Sequence, residues 1–327
     1  MTKKIEVLLY GLGAIGSFYA FILQRNPRVR LSVCARSNYE AVKANGVTIR
    51  SKNHGQHNYK PAKVLRSPDE AQQTYDHIVC VNKAVNTDSV LKQLVPVVDP
   101  KKTTIALMQN GVGIEDPFRK AFPSCTIISG VVWVGATQHT PGVVDHGSAE
   151  NTELGVFPNP NLDAGLEQQR LEELESLFRD GGTDITVPQD IQTARWKKCI
   201  WNMAWNGLTT LTGADTEAWL NSSDLSTPLT HRLMTEAIEV ARALGVPGVE
   251  YSLADELLAK VRPMGALYSS MYHDSRAGRP MEVEVILGTA VRKGRELGVA
   301  IPTLEIVYAM LLAIDQRLVR EKAQDSK

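Results

Sequence analysis

Residues 11–16, which read GLGAIG, constrain the fold most, because they stand between a predicted strand, IEVLLYG, and a predicted helix, SFYAFILQ. The glycines permit a tight turn, a close backbone approach to a pyrophosphate and close packing of the helix on the strand. The N–H groups at the helix start point towards the anion. A βα turn without a ligand is the alternative. We expect a dinucleotide site built from the following residues: Gly11, Leu12, Gly13, Ala14, Ile15 and Gly16.

Short apolar runs alternate with helical stretches up to about residue 135. After the first two segments they read RLSVCA, YEAVKAN, HIVCVNK, VLKQLVPVV, TTIALMQNG and TIISGVVWV. This alternation predicts an α/β fold with a doubly wound, mainly parallel sheet, which is a Rossmann domain. Nearly all-apolar strands such as residues 78–81 suit a sheet that is covered on both faces.

The pattern becomes helical after Pro188. Helical spacing is found over residues 191–211, 226–244, 252–272 and 283–297. A length of 327 residues with 43% hydrophobic residues is typical of two packed domains. The sequence therefore predicts a Rossmann domain over 1–188 and an all-helical domain over 189–327.

The charge balance excludes function classes that depend on a strong field. Thirty-six basic residues balance thirty-six acidic ones, which argues against nucleic-acid and anionic-membrane partners. The N-terminal stretch has no signal-peptide pattern, and no apolar run reaches the ~20 residues of a membrane span. We expect a soluble, cytoplasmic protein.

The cysteine and histidine spacings give no metal signature. Cys34, Cys80, Cys125 and Cys199 are scattered without CxxC spacing and stand mostly among apolar neighbours, as buried free thiols do. The seven histidines form no HxxxH or HExxH group. The sequence predicts no dedicated metal site.

Arg36 bears on the choice of coenzyme, because it follows the second strand and lies twenty positions after Gly16. An NAD site usually carries Asp or Glu here, whereas arginine accommodates the 2′-phosphate of NADP. Ser37 and Asn38 add further donors that suit a phosphate. A surface arginine unrelated to the coenzyme is the alternative, and NADP is the expected coenzyme.

Lys83 and Asn110 follow later strands, whose carboxyl ends border the ligand crevice in an open α/β sheet. Lys83 closes HIVCVNK, and Asn110 lies in MQNGVG, whose glycines permit a backbone close to a ligand. We expect both residues at the coenzyme. A solvated lysine and an ordinary Asn-Gly turn are the equally weighted alternative.

The segment RWKKCIWNMAWN places Lys198, Asn202 and Asn206 at successive i, i+4 positions of a predicted helix. At ~100° per residue they form one polar stripe, and Trp201 and Trp205 stand beside it. This mixture suits neither a solvent face nor a pure core face, so it indicates a lined cleft. A half-buried ammonium there can supply the proton that a ketone needs during hydride reduction, and a plain surface lysine is the alternative.

The order of these motifs resembles the ketopantoate reductases, or 2-dehydropantoate 2-reductases. It comprises GLGAIG, CVNK around Lys83, MQNGVG around Asn110, WKKxxxNxxxN from Trp196, and Ser270 with Glu282 twelve residues later. The resemblance spans residues 5 to about 313. It implies an N-terminal Rossmann domain, an all-helical C-terminal domain like that of 6-phosphogluconate dehydrogenase, and NADPH-dependent reduction of ketopantoate to pantoate in pantothenate and coenzyme A synthesis.

The resemblance also implies residue roles. Lys198 matches the catalytic lysine that protonates the carbonyl oxygen, and Asn202 and Asn206 match the substrate-cleft asparagines. Ser270 corresponds to a contact of the substrate carboxylate, and Glu282 to the acid that hydrogen-bonds the substrate and supports catalysis.

Two further positions follow from the resemblance, and one register is ambiguous. Lys83 and Asn110 correspond to residues that line the coenzyme and substrate crevice. Glu284 lies two residues after Glu282, and helical geometry puts the two on different faces, so only one of them can serve. The twelve-residue spacing from Ser270 favours Glu282.

Departures from the common bacterial pattern leave the substrate open. Gly207-Leu208-Thr209-Thr210 stands where Pro-Leu-Thr-Ala is usual, and Trp201 and Trp205 are bulkier than the usual residues. A related dehydrogenase for another branched 2-oxo acid is one alternative to a ketopantoate reductase. A non-catalytic NADP-sensing protein is another, which the joint presence of the polar cleft residues argues against. The oligomeric state is also open, with a homodimer as one alternative.

Overall fold

The computed structural model describes residues 4–325, which form two compact units. Unit 1 comprises residues 4–109 and 114–191, and unit 2 comprises residues 110–113 and 192–325. The short segment 110–113 therefore belongs to unit 2, although the chain on either side of it belongs to unit 1.

Unit 1 is an α/β unit in which strands and helices alternate, as predicted. Its elements are β1 (Ile5–Tyr10), α1 (Ala14–Arg25), β2 (Val29–Cys34), α2 (Tyr39–Asn45), β3 (Val47–Ser51), β4 (Gly55–Tyr59), β5 (Lys63–Leu65), β6 (His77–Cys80), α3 (Thr87–Leu94), β7 (Thr104–Leu107), α4 (Glu115–Ala121), β8 (Thr126–Thr140), β9 (Val143–Phe157), α5 (Ala164–Gly181) and β10 (Ile185–Thr186). Short 3-10 turns occur at Pro68–Ala71 and Val95–Val97.

The ten strands described in unit 1 form one sheet, in the order β4-β3-β9-β8-β7-β6-β1-β2-β5, with β10 paired to β9. All neighbouring strands are parallel except β8 with β9 and β3 with β4. The run β5-β2-β1-β6-β7-β8 is the doubly wound Rossmann order, with its switch point between β1 and β6. Tyr10 is in register with Cys34 on one side and Cys80 on the other, so these strands end level with one another at the edge where ligands bind.

The cysteines of unit 1 lie in its core, and burial keeps their thiols protonated. Cys34, Cys80 and Cys125 are buried free thiols, as predicted, and so is Cys199 in unit 2. Burial raises the pKa of Cys34 to about 12 and that of Cys125 to about 11. These thiols stay protonated near neutral pH, so they act as small apolar groups of the core.

Unit 2 is helical, and no strand occurs in its described residues. Its elements are α6 (Ile191–Thr212), of which only Ile191 belongs to unit 1, α7 (Thr216–Leu220), α8 (Ser226–Ala243), α9 (Ser252–Val261), α10 (Ser270–Arg276), a π turn (Glu284–Gly288), α11 (Thr289–Glu296) and α12 (Pro302–Asp325). The fold is thus a Rossmann domain followed by a helical C-terminal domain. None of the helices described between residues 4 and 325 has the length and apolarity that a membrane crossing requires.

The predicted single helix over residues 252–272 is wrong. A 3-10 turn at Arg262–Met264 follows α9, and a loop separates that turn from α10. Pro263 lacks the N–H that would continue the α-helical ladder, and Gly265 has a φ of 70°. The break produces a second helix start, at Ser270.

Candidate active site

The glycine loop of unit 1 is shaped by its immediate neighbours. Gly11 has a φ of 106°, and a Cβ at this position would collide with the backbone of Asn82, which follows β6. A Cβ on Gly16 would collide with the carbonyl of Gly11. The chain after β1 therefore lies so close to the chain after β6 that only glycine fits at Gly11. The first turn of α1 lies so close to Gly11 that only glycine fits at Gly16.

Gly13 differs from these two glycines, because no atom lies within 4 Å of the place where its Cβ would be. It is the N-cap of α1, no side chain caps the helix there, and the first turn carries no acidic residue. The start of α1 is thus an open cradle of N–H groups at the positive end of the helix dipole, which suits a pyrophosphate.

Arg36 and Asn38 follow β2 but have different surroundings. Arg36 is exposed. Asn38 is only 3% exposed, and its Nδ2 donates to the carbonyl of Leu12 at 2.5 Å and to Gln138 Oε1 at 2.8 Å. The expectation that Asn38 supplies a donor for phosphate is wrong: its amide is committed to holding the glycine loop.

Lys83 and Gln109 lie beyond the ends of β6 and β7. Lys83 is exposed, three residues past the end of β6. Gln109 Nε2 donates to the carbonyl of Asn82 at 2.8 Å and so joins the two strand ends. This bond fixes the backbone beside Gly11.

The polar stripe on α6 exists in unit 2. Lys198 is half-buried, and Asn202 and Asn206 are buried. Lys198 Nζ donates to Asn110 Oδ1 at 3.0 Å, and Asn110 Nδ2 donates to Glu282 Oε2 at 3.0 Å. An ammonium, an amide and a carboxylate from three distant parts of the sequence therefore form one hydrogen-bonded row, which we call the Lys198–Asn110–Glu282 row.

The loop that carries Asn110 is fixed from several sides. Gly111 has a φ of 95°, and a Cβ there would lie 2.5 Å from Val285 Cβ. Val112 N–H donates to the carbonyl of Val285 at 2.9 Å, and Arg195 Nη1 donates to the carbonyl of Gly111 at 2.9 Å. Arg195 is only 2% exposed. Because the backbone on the far side of Asn110 is held in this way, its amide has little freedom to leave Lys198 and Glu282.

The π turn at Glu284–Gly288 explains why Val285 can hold this loop. The N–H of Thr289 bonds to the carbonyl of Glu284, five residues back instead of four. This shift changes how the neighbouring carbonyls are used: Val285 accepts from Val112, and Ile286 accepts from Cys199 Sγ at 3.3 Å. Single π turns often occur at functional sites.

Glu282 and Glu284 have separate roles in the structure. Glu282 is 8% exposed and belongs to the row with Asn110. Glu284 has an exposed side chain that accepts from Arg292 Nη1 at 2.5 Å and from the Tyr308 hydroxyl at 2.8 Å. Of the two carboxylates, Glu282 is the one that lies beside the polar stripe.

Ser270 is exposed at the first position of α10. The contact with α6 is made by its neighbour Ser269, whose Oγ lies 2.8 Å from Thr209 Oγ1. Ser269 also caps α10 by accepting from Tyr272 N at 3.1 Å. Ser270 therefore stands one position from a serine that is fixed against the same helix as Lys198.

Sequence reasoning missed Arg195 and the bridging role of Asn110. A charged residue among apolar neighbours at the start of α6 is the signal that could have indicated a buried, paired arginine. No local pattern could have shown that Asn110 lies between Lys198 and Glu282, because the three residues are far apart in the chain.

The groups of the Lys198–Asn110–Glu282 row can donate a proton, whereas the neighbouring Cys199 is no nucleophile. The Lys198 ammonium is a proton donor, held by an acceptor at 3.0 Å. Glu282 supplies a negative charge nearby, which favours the charged form of a lysine. Cys199 lies close to the same groups, but burial raises the pKa of its thiol to about 12, so it is no nucleophile.

Comparisons with known proteins show which family the chain belongs to. The N-terminal family model "Ketopantoate reductase PanE/ApbA" matches residues 7–159, and the C-terminal model "Ketopantoate reductase PanE/ApbA C terminal" matches residues 190–315. The crystal structure of 2-dehydropantoate 2-reductase from Methylococcus capsulatus is 36% identical, covers 96% of this chain and 98% of its own, and has a TM-score of 0.84. The chain belongs to the ketopantoate reductase family.

Two other proteins, one similar in sequence and one similar in structure, differ in the activity that they are named for. The 2-dehydropantoate 2-reductase of Nostoc sp. is 26% identical over 315 residues, which is 96% of each chain. A ternary structure of D-mandelate dehydrogenase with NADH and anilino(oxo)acetate is 23% identical, covers 96% of this chain and 99% of its own, and has a TM-score of 0.84. The family is one of pyridine-nucleotide-dependent oxidoreductases, and this chain is a member of it.

Proposed function

We propose that this ketopantoate reductase family member reduces a 2-oxo acid to the 2-hydroxy acid with NADPH, and that ketopantoate is the substrate. The Lys198–Asn110–Glu282 row is the observation that carries the proposal. A binding protein has no need of a half-buried ammonium that is held by an amide beside a buried carboxylate. A reductase needs this group, because the oxygen of a reduced carbonyl must receive a proton.

The residues of unit 1 fit a dinucleotide. The open cradle at Gly13 and the uncapped start of α1 would hold the pyrophosphate, and Gly11 and Gly16 shape the loop. The exposed Arg36 would hold the 2′-phosphate, and Lys83 would line the same crevice. The reduced nicotinamide supplies the hydride.

Lys198 is the proton donor to the carbonyl oxygen in this proposal. Asn110 Oδ1 fixes the ammonium at 3.0 Å, so that its remaining protons keep a defined direction. Glu282 orients Asn110 through Nδ2 and stabilises the positive charge before the proton leaves. The neutral amine that remains regains a proton from solvent.

Substrate orientation falls to the polar residues around Lys198. Asn202 and Asn206 lie one and two turns beyond it on α6, and their amides would hold the substrate oxygens. Ser270, next to the fixed Ser269, would contact the substrate carboxylate. These roles follow the family pattern.

A second candidate is the reduction of another branched or aromatic 2-oxo acid. Trp201 and Trp205 stand beside the stripe in an edge-to-face contact, with ring centroids 5.7 Å apart. Trp205 is buried in the core, and the partly exposed Trp201 would offer an apolar surface that suits a bulky side chain. The ternary structure of a D-mandelate dehydrogenase of this fold contains anilino(oxo)acetate, an oxo acid with an aromatic group.

The test is a coupled panel of substrates. NADPH oxidation is followed with ketopantoate, 2-oxo-3-methylbutanoate and phenylglyoxylate, and each assay is repeated with NADH. The proposal expects the highest kcat/KM with ketopantoate and NADPH. A preference for phenylglyoxylate favours the second candidate, and NADPH binding without turnover of any acid favours a sensor. A cytoplasmic location and a homodimer stay predictions, and light scattering of the purified protein measures the latter.

A further inference from the structure

Arg195 is a charged residue in a buried, mostly apolar setting. It is only 2% exposed, and its chain neighbour Trp196 and the next turn of α6, at Cys199 and Ile200, are buried as well. A charged side chain is rarely buried in this way unless it is paired, because its removal from water is costly. Packing alone would be served better by an apolar residue, so the guanidinium points to a specific contact.

The contact that Arg195 makes fixes a single peptide group. Its Nη1 donates to the carbonyl of Gly111 at 2.9 Å, and the N–H of Val112 donates to the carbonyl of Val285 at 2.9 Å. The carbonyl of Gly111 and the N–H of Val112 are the two ends of one planar peptide group. Because α6 holds one end and the π turn holds the other, this group cannot rotate without breaking both hydrogen bonds. We call this arrangement the Gly111–Val112 clamp.

Gly111 makes such a clamp necessary. A Cβ at this position would lie 2.5 Å from Val285 Cβ, so the close approach of the loop to the π turn requires glycine. Glycine, however, has the widest choice of backbone conformations. The residue that permits the approach therefore leaves the next peptide group free to turn, and the two hydrogen bonds of the clamp remove that freedom.

The clamp lies one residue from the Lys198–Asn110–Glu282 row. Asn110 directly precedes Gly111, and its Oδ1 accepts from Lys198 Nζ at 3.0 Å. Arg195 and Lys198 are three positions apart on α6, so they are neighbours on the helix surface. Two adjacent residues of the loop are thus bound by two neighbouring side chains of one helix. Without the bond from Arg195, the loop could turn at Gly111 and carry the Asn110 amide away from the ammonium.

We propose that Arg195 is a positioning residue, which acts through the Gly111–Val112 clamp to hold Asn110 against Lys198 during the reaction. The inference rests on the proposed proton transfer from Lys198 and adds a residue that acts on it through the backbone. Small displacements of a reacting group lower the rate strongly, because the reaction needs a defined geometry. Arg195 should therefore affect kcat and leave the binding of NADPH unchanged.

The first test compares three replacements of Arg195. Arg195→Met keeps the apolar stem and removes the N–H donors, so we expect kcat to fall about tenfold or more, with the dissociation constant of NADPH within about twofold of wild type. Arg195→Lys keeps a charge and a donor and should recover part of the lost kcat. Arg195→Gln, which is shorter and uncharged, carries the test if Arg195→Met does not fold. Steady-state turnover and fluorescence titration of NADPH measure these effects.

A double-mutant cycle shows whether Arg195 acts through Asn110. In Asn110→Ala the amide is already absent, so adding Arg195→Met should lower kcat further by less than about twofold. If the losses of the two single variants multiply in the double variant, Arg195 acts elsewhere and the inference is overturned.

Arg119→Met is the matched control for lost stability. Arg119 is a partly buried arginine of α4 that also donates to backbone carbonyls, to that of Cys125 at 3.0 Å and to that of Phe157 at 2.5 Å. Its replacement should lower the melting temperature but keep kcat within about twofold of wild type. A fall in kcat as large as that of Arg195→Met would assign the effect to lost stability and contradict the positioning role.

Hydrogen exchange of the Val112 amide tests the clamp without turnover. In Arg195→Met this amide should exchange about tenfold faster than in wild type, and in Arg119→Met at the wild-type rate. An unchanged rate in Arg195→Met overturns the clamp. If the wild-type protein reduces no 2-oxo acid, the proposed function fails, and the exchange of this amide still decides whether Arg195 holds the loop.

Discussion

Replacing Asn110 by alanine should lower kcat/KM by about a hundredfold. The amide makes two hydrogen bonds of 3.0 Å, one from the Lys198 ammonium and one to the Glu282 carboxylate. A hydrogen bond to a charged group contributes about 1.5–3 kcal/mol. If the two bonds together stabilise the transition state by about 3 kcal/mol, their loss lowers kcat/KM by about two factors of ten, since about 1.36 kcal/mol corresponds to one factor of ten in rate.

Asn110→Asp separates the two bonds. Aspartate still accepts from Lys198, but it cannot donate to Glu282 when ionised, and the two carboxylates repel each other. The repulsion raises the pKa of one carboxyl, so the lost activity should partly return as the pH falls through that raised value. Steady-state assays of both variants over a range of pH, with melting curves as a check on folding, measure these effects. Asn221→Ala, at the exposed end of α7, is the control and should leave kcat/KM unchanged. A kcat/KM of Asn110→Ala within threefold of the wild-type value refutes the reasoning.

Three further predictions concern Arg36, the two glutamates and His146. Arg36→Ala should weaken NADPH binding at least tenfold and leave NADH binding unchanged, as measured by fluorescence titration; equal weakening contradicts the 2′-phosphate assignment. Glu282→Gln should lower kcat about tenfold or more, because it removes the charge that supports Lys198, whereas Glu284→Gln should change kcat less than twofold. Burial lowers the pKa of His146 from 6.5, so the histidine is neutral in the fold and its stabilising effect is lost as the pH falls below 6.5. The difference in melting temperature between wild type and His146→Gln should therefore shrink from neutral to acid pH, and a constant difference contradicts this.

The sequence predicted the parts of the fold that local pattern controls. The alternation of strands and helices and the spacing of GLGAIG are local signals, and both led to the Rossmann sheet. The strands β3, β4 and β5 were missed, because they are short and β4 reads GQHNY, a polar run with no apolar alternation. The break after α9 was missed because apolar spacing continues through it, although Pro263 was a sufficient warning.

The candidate site was predictable to a different degree. Lys198, Asn202 and Asn206 share one helix face, so their spacing alone placed them together. Glu282 entered through the family pattern and Asn110 through its position after a strand, and only the fold brings them to Lys198. The support from Gly111 and the π turn could not be predicted, because it depends on a five-residue hydrogen bond inside a helix that sequence periodicity treats as regular.

Turnover by Lys198→Ala is the most direct test of the proton donor. Single-turnover reduction of the preferred 2-oxo acid is measured beside the dissociation constant of NADPH for the same protein. The account predicts a fall in the chemical step of about a hundredfold or more, with NADPH binding unchanged. A variant that reduces the acid at the wild-type rate would show that the proton comes from another group.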